Sequence, residues 1–308
     1  MNPLRYLIVG TGGTGGSIGA FLALNGKDVT FLSRGKNLEV FKEEGMFFKS
    51  GIKGDHQIKD ATFIAEEDFK GKADVIFVCV KSYSVKDIIP ILKSAAHAET
   101  VIIPIMNGYN MGSTLSEHVD LGHTLEGCIY ISAFVESPGT IVQLGGLFKL
   151  VFGPKKNQVV PEAILKTIYR DLSESGIEAS LSSQIQVDTF KKFTFISAYA
   201  ACGAYYDIEA ISMQKEGKER ETFISLCREI EGVGQGLGLN LDIDVVDTNL
   251  NILHSLTPDT TASMQKDMKA GKAYEMDGLV FDVLRLAKTI GVSIPEYEKI
   301  GKHFGYKE

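Results

Sequence analysis

The stretch Leu4-Arg5-Tyr6-Leu7-Ile8-Val9-Gly10-Thr11-Gly12-Gly13-Thr14-Gly15 decides the reading of this chain. Leu4–Val9 reads as a strand, because a run of apolar residues suits a parallel strand covered on both faces. From Gly13 to Asn25 small and apolar residues recur at helical spacing, with Ile18, Phe21, Leu22 and Leu24 among them, and Gly26 is a stop signal. Between them stands Gly10-x-Gly12-x-x-Gly15. Gly10 permits a tight turn, Gly12 lets backbone approach a pyrophosphate, and Gly15 allows close helix-to-strand packing. Backbone amides of Gly10, Thr11, Gly12, Gly13, Thr14 and Gly15, at the start of the helix, would hold phosphate. Such a turn alone is a weak signal in a chain with 32 glycines. A strand before it and a helix after it turn it into an expected dinucleotide site.

Working outward, Asp28–Leu32 reads as a second strand and completes a βαβ unit of about 30 residues. At its end, where an acidic residue often binds a ribose hydroxyl, the chain has Ser33-Arg34. A guanidinium there favours a 2′-phosphate, so NADPH is the expected cofactor. Further strands are expected at 74–80 and 100–105 with a helix at 84–96 between them, which gives a doubly wound parallel sheet. Lys81 and Asn107-Gly108 follow two of these strands, at the carboxyl ends where open sheets bind ligands. Residues 123–152 read as β-rich pieces that extend the sheet in antiparallel fashion, and 162–175 as a helix. Beyond Ser182 helical patterns take over, at 184–201, 218–237, 244–253, 262–270 and 277–290. The fold class expected is therefore α/β, a Rossmann-type domain over residues 1–182 followed by an all-helical domain over 183–308.

Composition narrows the function. A net charge of −7 argues against a nucleic-acid or anionic-membrane surface and leaves a small molecule as the expected partner. Cys79, Cys128, Cys202 and Cys227 stand far apart with no histidine at ligand spacing, so no metal site is expected and the cysteines read as reduced, buried thiols. The apolar stretch Tyr6–Val9 is too short for a membrane span and is followed by glycines instead of a cleavage region, so a cytoplasmic location is expected. A homodimer is left open.

The ordered set Gly10-x-Gly12-x-x-Gly15, Arg34, Lys81, Asn107-Gly108, Phe190-Lys191-Lys192, Ser263-Met264 and Glu275-Met276-Asp277 resembles the ketopantoate reductase family over nearly the whole chain. The resemblance implies a Rossmann domain joined to a helical domain. It also implies NADPH-dependent reduction of 2-dehydropantoate to D-pantoate, a step of pantothenate and coenzyme A biosynthesis. By it Lys192 is the general acid and Glu275 acts beside it. Glu275 and Ser263 hold substrate, Asn107 bridges cofactor and substrate, and Lys81 helps position both. The chemistry is consistent, since hydride delivered to a ketone carbon leaves an oxyanion that needs a cation and a proton, and an ammonium supplies both.

The pattern also departs from the family. Asparagines are expected one and two turns after the lysine, where this chain has Ile196 and Ala200. Residues at i, i+4 and i+8 share a helical face, so one wall of the site lacks two amides. Either Ser197, Tyr199 or Tyr205 compensates, or the pocket is retuned for another small 2-oxo acid. A non-catalytic dinucleotide sensor is the alternative from a different class.

Overall fold

In the first strand, β1 (Arg5–Val9), the four residues Tyr6–Val9 are buried on both faces, as expected of a central parallel strand, and only Arg5 at its start is exposed. The computed structural model describes residues 3–307. The chain continues through α1 (Gly13–Leu24), β2 (Asp28–Leu32), α2 (Gly35–Glu44), β3 (Met46–Ser50), β4 (Gly54–Ile58), β5 (Thr62–Ile64), β6 (Val75–Val78), α3 (Val85–Ala95) and β7 (Val101–Pro104). Then come α4 (Met111–Ser116), β8 (His123–Thr124), β9 (Glu126–Ser137), β10 (Thr140–Gly153), α5 (Glu162–Glu174) and β11 (Glu178–Leu181). Two units form: residues up to Met106 with Asn110–Ile185, and Asn107–Tyr109 with the residues from Gln186 onward.

The first unit holds two sheets. One is parallel throughout, in the order β5-β2-β1-β6-β7-β8. The chain moves from β1 to β2 on one side and later returns as β6 on the other, so the topological switch point lies at β1 and β6. The other sheet runs β11-β10-β3-β4, with β9 along β10. This corrects the expectation that 123–152 extends the first sheet. Only His123–Thr124 joins that sheet, beside β7. The long hairpin β9–β10 builds the second sheet instead, because β10 pairs in parallel with β3 through Thr140–Gln143 and with β11 through Lys149–Phe152. Those pairings join segments about 30 to 90 residues apart, which no local pattern reveals.

Helix α1 packs against both sheets, and this explains its glycines. A Cβ on Gly15 would lie 2.2 Å from the Gly10 carbonyl oxygen, and one on Gly19 would lie 2.2 Å from the Phe31 ring. These residues, four apart, face the parallel sheet. Gly13 and Gly16, three apart, face the second sheet, where Cβ atoms would meet the Ala133 and Phe134 backbone at 2.5 Å and the Ile141 side chain at 2.9 Å.

The second unit is helical: α6 (Ile185–Tyr206), α7 (Ala210–Gln214), α8 (Lys218–Gly236), α9 (Val245–Ser255), α10 (Ser263–Lys269), a π-helical turn at Asp277–Phe281, α11 (Asp282–Ile290) and α12 (Pro295–His303). Its core gathers Phe190, Phe193, Ala198, Ala201 and Cys202 of α6 with Phe223, Leu226 and Ile230 of α8 and Tyr297 and Ile300 of α12. Helix α6 carries apolar residues around most of its circumference, which fits its central place. Among the described residues no helix is long and apolar enough to cross a membrane.

Candidate functional site

In the first unit the glycine turn occupies the carboxyl end of β1. Gly10 has φ +98°, a conformation L side chains rarely adopt, and a Cβ there would lie 2.8 Å from the Cys79 carbonyl oxygen at the end of β6. The Thr11 hydroxyl donates to the Leu32 carbonyl at 2.8 Å and ties the turn to the end of β2. Gly12 is the N-cap residue of α1, where a Cβ would have no heavy atom within 4 Å. No side chain caps this helix and no acidic residue stands in its first turn. The first amides of a helix lack internal partners and carry the positive end of its dipole. The turn thus offers an open, backbone-lined anion cradle that fits a pyrophosphate.

At the end of β2 the Ser33 hydroxyl is buried with no hydrogen-bond partner, an orphaned group that a bound ligand can satisfy. Arg34 follows as the exposed N-cap residue of α2, and its side chain makes no hydrogen bond or salt bridge among the described residues. Glu66 lies near enough to feel it. Burial, with repulsion from Glu67, holds the Glu66 carboxyl above its usual range, and Arg34 draws it the other way. A buried hydroxyl beside an exposed guanidinium fits a 2′-phosphate. Lys81 is half-buried just past β6, before a short 3-10 turn at Ser82–Ser84.

In the second unit Asn107 and Glu275 meet. The Asn107 amide Nδ2 donates to Glu275 Oε2 at 3.5 Å, a long contact, and Glu275 is only 1% exposed. Burying a carboxylate is costly unless polar groups satisfy it, so this placement is itself informative. Tyr109, two residues on, sits edge-on to Phe190 with ring centroids 4.9 Å apart and lies near-parallel to Phe193 at 6.3 Å. Phe190 and Phe193 flank Lys191-Lys192 on α6, so the Asn107–Tyr109 turn is anchored on the segment that carries Lys192, itself half-buried. The sequence reading missed Tyr109. Its signal was an aromatic residue directly after Asn107-Gly108.

Ser263 starts α10 and is exposed, and its hydroxyl makes no hydrogen bond among the described residues. Its neighbour Gln265 is buried and fixes the helix start, donating to the Gly203 and Ile208 carbonyls at 3.0 and 2.8 Å. Ile196 packs half-buried against the helical core and Ala200 is buried. Two of the hydroxyls able to replace their missing amides are engaged elsewhere. Ser197 Oγ donates to the Leu279 carbonyl at 2.6 Å and pairs with the Tyr297 hydroxyl at 2.7 Å, while the Tyr199 hydroxyl donates to the Thr260 carbonyl at 2.8 Å.

No cluster of metal-ligating side chains occurs among the described residues. All four cysteines are free; Cys128, Cys202 and Cys227 are buried and Cys79 is half-buried. Burial pushes the Cys202 and Cys227 thiols up to about 12, which keeps them protonated and unreactive.

The anion cradle at the switch point of the first unit fits a dinucleotide-binding oxidoreductase of the Rossmann type. The chain belongs to the ketopantoate reductase family: residues 6–157 match Ketopantoate reductase PanE/ApbA and residues 184–307 match its C-terminal part. Members are oxidoreductases acting on CH–OH groups. It is 28% identical over 297 residues to the oxidoreductase YkpB of Bacillus subtilis, described as uncharacterized, covering 96% of each chain. It is 26% identical to the 2-dehydropantoate 2-reductase of Aquifex aeolicus, covering 99% of this chain and 97% of that one. A solved structure of D-mandelate dehydrogenase with NADH and anilino(oxo)acetate shares the fold at a TM-score of 0.87 and 18% identity, covering 97% of this chain and 96% of that one.

Proposed function

We propose that the protein is a cytoplasmic NADPH-dependent 2-oxo acid reductase that converts 2-dehydropantoate to D-pantoate. Residues 1–182 bind the dinucleotide and residues 183–308 carry the acid chemistry. The observation that supports this reading above others is the buried Glu275 carboxylate joined to Asn107, on a turn anchored by Tyr109 against the helix of Lys192.

The roles follow from the chemistry of each group. Amides of residues 10–15 hold the pyrophosphate, and Arg34 with the Ser33 hydroxyl holds the 2′-phosphate. When bound, NADPH supplies a hydride to the ketone carbon. Lys192 offers its ammonium to the carbonyl oxygen, stabilises the negative charge as it develops, and gives that oxygen the proton that completes the alcohol. Asn107 presents its amide both to Glu275 and toward the reacting groups. Glu275 and Ser263 accept and donate to the hydroxyl and carboxylate of the acid, and Lys81 adds a positive charge for that carboxylate.

A second reading, reduction of another small 2-oxo acid, is favoured by Ile196 and Ala200, because the Ser197 and Tyr199 hydroxyls are committed elsewhere. Steady-state turnover of 2-dehydropantoate and a panel of 2-oxo acids, with NADPH and with NADH, tests both. The leading reading expects 2-dehydropantoate with NADPH to give the highest kcat/KM. A more apolar acid preferred by at least about 10-fold, the scale of one or two lost hydrogen bonds, selects the second. No turnover of any acid overturns both and leaves a dinucleotide sensor.

A further inference from the structure

The π-helical turn Asp277–Phe281 begins two residues after Glu275. A π turn closes its bond one residue later than an α turn, here from the Asp282 amide to the Asp277 carbonyl, and such turns recur at functional sites. On the solvent side Arg285 bridges the turn, donating to Asp277 Oδ1 at 3.0 Å and through Nε to Asp282 Oδ1 at 2.9 Å. Exposed ion pairs of this kind contribute little.

The inner side is held differently. The Leu279 amide donates to the Glu275 carbonyl at 3.0 Å, and the Leu279 carbonyl accepts from Ser197 Oγ at 2.6 Å. Ser197 has one proton, which this bond uses, so the 2.7 Å contact with Tyr297 requires the phenol to donate to Ser197. The direction is therefore Tyr297 O–H to Ser197 O–H to Leu279 C=O. Both side chains are fully buried. Tyr297 is fixed in turn, because Glu229 of α8 accepts from the Glu296 and Tyr297 amides at 2.8 and 3.0 Å and caps α12.

Two buried hydroxyls in an apolar core stabilise less than apolar groups of the same shape would, but they specify one arrangement of the elements they join. Those elements are α6, which carries Lys192 five residues before Ser197, and the π turn, whose Leu279 amide holds the Glu275 carbonyl. We propose that Ser197 and Tyr297 are positioning residues whose hydroxyl relay fixes the π turn against α6 and thereby sets Glu275 for catalysis. The role rests on the reading above that Lys192 and Glu275 act in one reaction.

Three variants test it: Tyr297→Phe removes one oxygen and keeps the ring, Ser197→Ala removes both links, and Ser197→Thr keeps the hydroxyl. With the best acid of the panel, kcat falls about 10-fold in Ser197→Ala and several-fold in Tyr297→Phe, a scale suited to a small misplacement of a reacting group. NADPH affinity measured by fluorescence titration stays within about 2-fold of wild type, and Ser197→Thr recovers most of the loss. In parallel, hydrogen exchange at the Leu279 amide speeds up about 10-fold in Ser197→Ala relative to amides of α8. Unchanged exchange overturns the relay whatever the kinetics show. Wild-type kcat in both Tyr297→Phe and Ser197→Ala overturns the positioning role. A wild-type protein that turns over no acid removes the functional reading and with it the catalytic role, while exchange still decides whether the relay holds the turn.

Discussion

The glycine turn of the first unit and the Asn107–Glu275 pair of the second are built by opposite means. The turn is backbone, drawn from six consecutive residues and held by what is missing: side chains at Gly10, Gly13 and Gly15 would strike neighbouring backbone. The pair joins side chains 168 residues apart and depends on an aromatic anchor and a hydroxyl relay contributed by still other segments. A site made of backbone conformation is therefore sensitive to added atoms, whereas one made of assembled side chains is sensitive to lost atoms.

The largest expected effect lies in the assembled site. Lys192→Ala lowers kcat by at least about 100-fold, the usual scale for a general acid, and leaves NADPH affinity nearly intact. Single-turnover kinetics beside a binding titration check this, and unchanged kcat removes Lys192 from the acid role.

Added atoms test the turn. Gly13→Ala places a methyl 2.5 Å from the Ala133 and Phe134 backbone, which must move, so stability falls by about 1–3 kcal/mol and NADPH binding weakens with it. Gly12→Ala, where a Cβ meets nothing within 4 Å, is the control for stability in the free protein. Equal destabilisation by the two, followed by urea unfolding, would break the distinction between a packing glycine and an approach glycine.

The same contrast explains what the sequence made legible. The strand, turn and helix around Gly10 are contiguous, so apolar runs and glycine spacing revealed them directly. The long helices after Ser182 were legible for the same reason. The second sheet was not, because β3 and β4 are short and β10 finds its partners far away in the chain. Lys192 and Glu275 were singled out by resemblance, and their setting was not. Tyr109 as an anchor and Tyr297 as a donor depend on packing that brings residues 109, 190, 197, 279 and 297 together within the helical unit. Single residues without periodic context give no such warning.

Arg34→Ala sharpens the cofactor side. The guanidinium is exposed, so its loss is expected to leave the fold unchanged and to remove only the contact proposed for the 2′-phosphate. NADPH affinity is expected to fall about 10-fold and NADH affinity to change little, since only NADPH carries the phosphate. Paired titrations check it; equal losses would indicate that Arg34 acts on the fold of α2.

The smallest effect concerns how the nucleotide unit is held at the opposite end of its sheet, where charge takes over from steric fit. Asp74 precedes β6 and accepts from the Arg5 amide at 2.8 Å, from Arg5 Nε at 2.9 Å and from His97 Nε2 at 2.9 Å. Burial alone would raise its carboxyl, but the Arg5 and His97 contacts outweigh that and lower it from 3.8 to about 2. A depressed carboxylate stabilises the fold fully above its unfolded value of 3.8 and loses that contribution as pH falls toward 2. Arg5 is half exposed and water screens the pair, so Asp74→Asn should cost on the order of 1 kcal/mol at pH 7. Urea unfolding of both proteins from pH 7 down to 2 measures the gap, which should hold to about pH 4 and then close. A gap that persists at pH 2 would assign the loss to the altered hydrogen bonds, and this end of the sheet would then depend on geometry as the glycine turn does.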